Sequence, residues 1–170
     1  MASTPVRLAE SRHLAEIPKI ELAAATLFSE ADLPKGIRYK VTDRSDLQEA
    51  LGHDRLWVAL HEGTPVGFAL ASVVDGAGYL DELSVRPEFG RQGIGTSLVS
   101  TVIDWARAED FPCLTLVTFR HLAWNAPFYE KLGFQGLDSS EHGAELAGLT
   151  EEERLIGINV ADRIAMRLVL

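Results

Sequence analysis

The chain has 170 residues, enough for one domain with a real core, and its 46% hydrophobic and 24% charged content is ordinary for a globular protein. A net charge of −9 speaks against nucleic acid as a partner and leans weakly toward a cationic ligand, although solubility is the plainer reading of the same charge. The one cysteine, Cys113, excludes an internal disulfide and a cysteine-cluster metal site, and no apolar run is long enough to span a bilayer.

The first residues, MASTPVRLAE, lack the apolar stretch of a signal peptide, so the expected compartment is the cytoplasm. Pro5–Ala9 reads as a short strand. Ile17, Ile20, Ala24, Leu27 and Phe28 recur at helical spacing, with Pro18 suited to a first turn. Asp32–Gly36 reads as a loop. Ser45-Asp46-Leu47-Gln48 is a capping-box pattern that predicts a second helix ending near Gly52. Arg55–His61 and Val66–Val74 read as strands of a hairpin around Glu62-Gly63-Thr64-Pro65. Asp75–Gly78 turns the chain into the stretch Tyr79–Leu98, YLDELSVRPEFGRQGIGTSL.

That stretch begins as a strand and is cut by Pro87, which has no N–H for a sheet ladder. Strict alternation along it would put Leu80, Glu82 and Ser84 on one face and Asp81, Leu83 and Val85 on the other. Gly90, Gly93 and Gly95 then crowd into six residues before a helix from about Gly93 to Glu109, with Ile94, Leu98, Val102, Trp105 and Ala106 on one face. A strand, a glycine-dense loop and a helix N-terminus together suit a phosphate group, because glycine lets the backbone approach and the first helical turn offers free N–H groups. The loop is not a P-loop, since no Lys-Ser/Thr follows Gly95. It is a poor dinucleotide fingerprint, since Leu98 stands where a third glycine belongs. A tight strand-to-helix turn with no ligand stays open as a reading of the loop by itself.

Cys113–Phe119 is nearly all apolar or β-branched, as in a strand buried on both faces, with Cys113 as a small core residue. Asn125 reads as the N-cap of a short helix, Phe128–Leu132, with Pro127 in its first turn and Gly133 stopping it. Gly143–Ile156 has helical character with Thr150-Glu151-Glu152-Glu153 as a start signal, and Arg163–Leu170 reads as a closing strand. No repeat or linker divides the chain, so a single domain over residues 1–170 is expected, of class α/β or α+β with a mixed sheet.

The run SVRPEFGRQGIGTSLV, followed by a helix, an apolar strand and WNAPFYEKLGF, resembles the GNAT superfamily of N-acetyltransferases. That family has a loop of the form Arg/Gln-x-x-Gly-x-Gly/Ala after a strand. One helix and one strand later it has a short helix carrying a tyrosine and ending in a Leu-Gly-Phe-like turn. Leu132-Gly133-Phe134 fits that turn, with Tyr129 ahead of it. The order of elements matches over roughly Pro5–Phe134, and the match is strong only over Leu80–Phe134. One departure is plain: aligning Gly93 and Gly95 on the family glycines puts Gly90 where Arg or Gln is usual, followed by Arg91 and Gln92.

The resemblance implies a central, mostly antiparallel, twisted sheet of six to seven strands with helices on both faces. It implies transfer of an acetyl or other acyl group from acetyl-CoA, the co-substrate, to a primary amine in a ternary complex. No metal and no enzyme nucleophile are called for, and none of the five histidines has metal-ligand spacing. Tyr129 matches the general-acid tyrosine, with a packed helix-face aromatic as the alternative. Glu82 is the leading base, against an ion pair near a splayed sheet edge, with His121 as another candidate base. Coenzyme contacts are expected from Leu83, Ser84 and Val85 on the strand. Others are expected from Arg91 and the N–H groups of Gln92, Gly93, Ile94, Gly95 and Thr96, and from Asn125 and Tyr129. Trp124 is either core or the rim of the acceptor mouth. The acceptor implied is a small-molecule amine first and a protein amine second; neither nucleic acid nor membrane is expected, and a homodimer is allowed. Two other readings stand beside this one: a degenerate acyl-CoA-binding module that kept the loop, and a nucleotide-binding protein of another fold.

Overall fold

The alternating and apolar runs of the chain pair into one seven-stranded sheet in the computed structural model, which describes residues 4–170. Its strands are β1 (Val6–Leu8), β2 (Leu56–His61), β3 (Thr64–Val74), β4 (Ala77–Val85), β5 (Cys113–Phe119), β6 (Gln135–Leu137) and β7 (Arg163–Val169). They lie in the order β1-β2-β3-β4-β5-β7-β6, and every pair is antiparallel except β4–β5. The helices are α1 (Ile17–Ala25), α2 (Lys35–Arg38), α3 (Arg44–Gly52), α4 (Ile94–Ala108), α5 (Ala126–Lys131) and α6 (Ala144–Leu155). The mixed, mostly antiparallel sheet with helices on both faces is the architecture the sequence implied.

Each face has its own core. On one, Leu98, Val102 and Ala106 of α4 pack on Ala69, Leu80, Leu114, Leu116 and Met166. The four-residue steps along α4 bring one stripe onto the sheet. On the other, Ile17 and Ile20 of α1 and Leu47 and Ala50 of α3 pack on Leu56, Val58, Phe68 and Leu70. α6 caps the far end of that second face through Leu146 against Tyr79 and Ala165. Each such aliphatic side chain removed from water contributes about 1.5–3 kcal/mol, so the two layers fix the sheet firmly everywhere that strands also pair.

Local signals misplaced several boundaries. Lys35 and Gly36 lie in α2 rather than in a loop, and α1 stops at Ala25, before Phe28. α3 begins at Arg44 with Asp43 at its N-cap, so Ser45 is inside the helix and no capping box forms there. Thr64 and Pro65 belong to β3; Pro65 pairs with Leu60 just past a register shift, where a missing N–H is tolerated. In α6, Thr150 lies mid-helix and bonds back to the Ala147 carbonyl. The start of that helix is capped from 70 residues away by Asp75, whose carboxylate accepts from the Glu145 and Leu146 amides. Cys113, at the outer end of β5, is half-buried rather than a core residue.

The largest correction lies inside β4. Leu70 pairs with Glu82 but Ala71 pairs with Leu80, so Asp81 is an extra residue, a β-bulge. The bulge breaks the alternation expected from the sequence. Leu80 and Leu83 join the α4 core, while Glu82 and Ser84 pair with Leu70 and Phe68 on the α1 face. Asp81 joins Glu82 on that face, because two bulged residues oppose a single partner residue.

Candidate active site

β4 and β5 pair only at Gly78–Leu114 and Tyr79–Thr115. Beyond these residues the two parallel strands part, and a cavity of about 1120 Å³ opens between Leu80–Val85 and Leu116–Phe119. The amide direction along β4 follows from one bond. Arg86 N–H donates to the Val66 carbonyl, so the amides of Ser84 and Glu82 also face β3, and those of Leu83 and Val85 face the opening. A strand edge with unpaired N–H and C=O groups is therefore exposed inside the molecule.

Glu82 points from the bulge into this cavity on the α1 side. Ser84 Oγ donates to its Oε1 at 2.7 Å. Burial lifts the Glu82 carboxyl to about 7, the Ser84 bond and Arg163 pull it back, and the neighbouring carboxylates of Glu21 and Asp81 push it further up. Asp81, the more exposed residue of the two, is also raised chiefly by loss of solvent, while a bond to Ser72 and the charge of Arg55 pull it back. Glu21, from α1, reaches the same cavity and accepts from the Thr42 hydroxyl at 2.6 Å and the Thr42 amide at 3.1 Å. Its carboxyl is raised too, because desolvation outweighs those bonds.

Tyr129 stands on the opposite face, in the α4 core with Phe134, and its ring lies 5.0 Å from Phe128 and 5.7 Å from Phe134. Burial, and next the charge of Glu82, raise its phenol above the usual range, so the proton stays on at neutral pH. Asn125 occupies the N-cap position of α5, but its side chain caps nothing. Its Oδ1 accepts from Thr118 Oγ1 at 2.6 Å and from the Phe119 amide at 3.4 Å, tying α5 to the end of β5. The expected cap fails because Pro127 has no N–H, and the Phe128 amide already bonds the Asn125 carbonyl.

Pro87–Phe89 forms a single 3₁₀ turn between β4 and the glycine loop. Arg91 and Gly93 both take left-handed φ, 60° and 80°, and Gly93 is the N-cap of α4. The helix thus starts at Ile94, and the amides of Ile94, Gly95 and Thr96 are its unpaired first-turn donors. Gly95 faces the Phe128 ring. Gly90 has an ordinary extended backbone, but a Cβ on it would stand 3.0 Å from the Pro87 carbonyl oxygen, which closes the 3₁₀ turn through the Gly90 N–H. Glycine at this position is thus accounted for by the turn. Arg91 is exposed at the cavity rim, and Gln92 reaches back to the Glu88 carbonyl at 3.4 Å.

The remaining wall comes from distant segments. Phe28, just after α1, meets Phe119 at 5.5 Å and Trp124 at 6.0 Å between ring centres. His121 Nε2 lies 2.9 Å from Asp32 Oδ1, a bond between the loops after α1 and after β5. Arg163, at the start of β7, is held by Glu153 at 2.6 and 2.9 Å and lies 4.4 Å over the Phe119 ring. Glu21, Phe28, Thr42 and Arg163 were not among the site residues expected from sequence; no local pattern marks them as such, because each reaches the cavity through tertiary packing. Among the described residues, no group of three or more His, Cys, Asp or Glu is placed to hold a metal ion, and no helix is long and apolar enough to cross a membrane.

The model of the acetyltransferase (GNAT) family matches residues 23–134. The uncharacterized N-acetyltransferase YafP of Escherichia coli (strain K12) is 31% identical over 93 residues, 55% of this chain and 54% of that protein; the chain spans about half the length of this curated relative. Among solved structures, the PaiA N-acetyltransferase of Thermoplasma acidophilum in complex with coenzyme A aligns with a TM-score of 0.71 at 17% identity, over 99% of this chain and 100% of that one. Rv2747 of Mycobacterium tuberculosis, in complex with CoA and NLQ, aligns with a TM-score of 0.71 at 23% identity, over 98% of this chain and 99% of that one. At these identities the structural likeness speaks to the fold.

Proposed function

This chain belongs to the acetyltransferase (GNAT) family, and from that premise we propose that it transfers an acetyl group from acetyl-CoA to a primary amine, directly, within a ternary complex. The observation that carries the reading is the parting of β4 and β5, with the Glu82 carboxyl on one side of the gap, Tyr129 on the other and the glycine loop at the end of β4. The residues present fit coenzyme A. The unpaired edge at Leu83 and Val85 suits an amide-containing arm as a strand-like guest, and the first amides of α4, with Arg91 beside them, suit a diphosphate.

The coenzyme supplies an activated acyl group and a thiolate leaving group. The chain's own residues supply the rest. An alkylamine is protonated near pH 7 and cannot attack until it loses a proton. That first proton leaves to solvent through the open mouth of the cavity; Glu82, with its carboxyl near 7, accepts the second, from the attacking nitrogen, directly or through one water as the N–C bond forms. The Leu83 amide donates to the thioester oxygen as negative charge builds there. Tyr129 gives its proton to the sulfur as the C–S bond breaks, and the phenolate then regains one from solvent. Asn125 steadies the start of the tyrosine's helix through Thr118.

Purified protein mixed with acetyl-CoA and a panel of amines, followed by release of free thiol, tests the reading. Turnover of at least one primary amine is expected. Tight coenzyme A binding with no turnover on any amine would make the chain a degenerate acyl-CoA-binding module instead. Calorimetry showing NAD or ATP bound and coenzyme A not bound would remove the reading altogether.

A further inference from the structure

The acceptor end of the cavity carries information about the acceptor itself, an inference that rests on the acyl-transfer reading. Its deep part is acidic, with Glu82 and Glu21 side by side. Its outer part is apolar and ring-lined: Leu27, Phe28, Leu33 and Ile37 come from the α1–α2 segment, and Phe119 and Trp124 from the other lip. Two of these rim residues are open to solvent, Leu27 at 46% and Trp124 at 44%. The lips are also joined. The Asp32–His121 bond and the Phe28–Trp124 contact cross from one to the other, which leaves no open trough for an extended peptide. The segment that carries Ile37 also brings Arg38 and Lys40 to the cavity wall, while the charge of Arg163 is matched by Glu153. A second ammonium along the acceptor would lie among rings and cations.

We propose that the acceptor is a small primary amine on an apolar, ring-bearing chain, an arylalkylamine, and not a polyamine or a peptide N-terminus. The ammonium is drawn to the Glu82–Glu21 end, where charge is complementary, and the ring covers Trp124 and Leu27. Burying the ring against these side chains is worth about tenfold in discrimination over a short alkylamine, by the usual scale of apolar pockets.

The test uses 4-phenylbutylamine, propylamine, spermidine and a short peptide with a free N-terminus, each with acetyl-CoA, read as kcat/KM by thiol release. A direct binding readout runs beside it: quenching of Trp124 fluorescence by each amine without turnover, with Trp124→Phe as the control. Expected are a kcat/KM at least about tenfold higher for 4-phenylbutylamine than for the other three and quenching that disappears in the control. In Trp124→Ala, KM for 4-phenylbutylamine rises about tenfold while that for propylamine moves by less than about threefold. Spermidine or the peptide turning over best overturns the inference and leaves acyl transfer intact. Quenching by 4-phenylbutylamine with no acetylation of any amine keeps the acceptor class and overturns acyl transfer. An absence of both quenching and turnover with 4-phenylbutylamine overturns the inference whatever else is acetylated.

Discussion

The two ends of the cavity are made of different material. The proposed coenzyme end is backbone: the outward amides of Leu83 and Val85, and the first amides of α4 behind a left-handed Gly93. The acceptor end is side chain: Glu21, Glu82, Phe28 and Trp124, carried there by α1, the bulge in β4 and two loops. A backbone site is insensitive to most substitutions and sensitive to any that alters φ, ψ or the strand gap. A side-chain site can change its ligand one residue at a time without touching the frame. Variants should therefore separate the two ends by which constant they move.

The largest effect is expected at the junction of the two. Glu82→Gln keeps the shape and the Ser84 hydrogen bond but cannot accept a proton, and should lower kcat/KM by about 10²–10⁴ with coenzyme affinity nearly unchanged. A loss below tenfold would hand the base role to Asp81, His121 or water. The same variant has a stability signature. The Glu82 carboxyl titrates near 7 in the fold against its ordinary 4.5, so the fold binds its proton more tightly than the unfolded chain does. That preference is fully present below pH 4.5 and is lost as pH rises through about 7. At about 1.4 kcal/mol per unit, the parent protein should lose up to about 3 kcal/mol across this window, a loss that Glu82→Gln escapes. Melting curves at pH 5 and pH 8 measure it; equal shifts in both proteins would mean that Glu82 is solvated.

Next in size is Tyr129→Phe, which keeps the ring contacts with Phe128 and Phe134 and removes only the proton donor. A fall of about 10² in kcat with little change in either KM is expected, at the low end of general-acid effects. An unchanged kcat would leave Tyr129 as a packed aromatic. Smaller again, and confined to the other end, is Gly93→Val. A β-branched residue at φ 80° is strained by about 1–3 kcal/mol. The loop should relax and KM for acetyl-CoA rise about tenfold, while the preference among amines stays as it was. If amine preference changed instead, the division between a backbone end and a side-chain end would not hold.

The same division explains what could be read from the sequence. Gly93, Ile94, Gly95 and Tyr129 sit in short local patterns, so the strand–loop–helix unit and the α5 tyrosine were legible, and from them the sheet with helices on both faces. The bulge at Asp81 was not, because its cause is the register with β3 and not any breaker residue in β4. Missing it put Asp81 and Glu82 on opposite faces. Asn125 looked like a cap because residue type predicts caps well, but Pro127 removed one donor and Thr118 offered a better one. Glu21 and Arg163 stand 61 and 81 residues from Glu82 in sequence, and only the meeting of α1 and β7 at the strand gap gives them a role.

Glu21 supplies the smallest effect and the most diagnostic one. Its carboxylate raises the Glu82 carboxyl, second only to burial among the upward influences, and Thr42 holds it in place. With Glu82 as base, kcat/KM should climb with pH as the carboxyl deprotonates, with a limb near 7. Glu21→Gln keeps the Thr42 hydroxyl contact and removes one negative charge. Deprotonating Glu82 then becomes easier, so the limb must move to lower pH, and the plateau should change little. A structural role for Glu21 would lower the plateau and leave the limb in place. A limb that moved to higher pH would run against the loss of a negative charge, and would mean that the substitution changes the solvation of the titrating group instead.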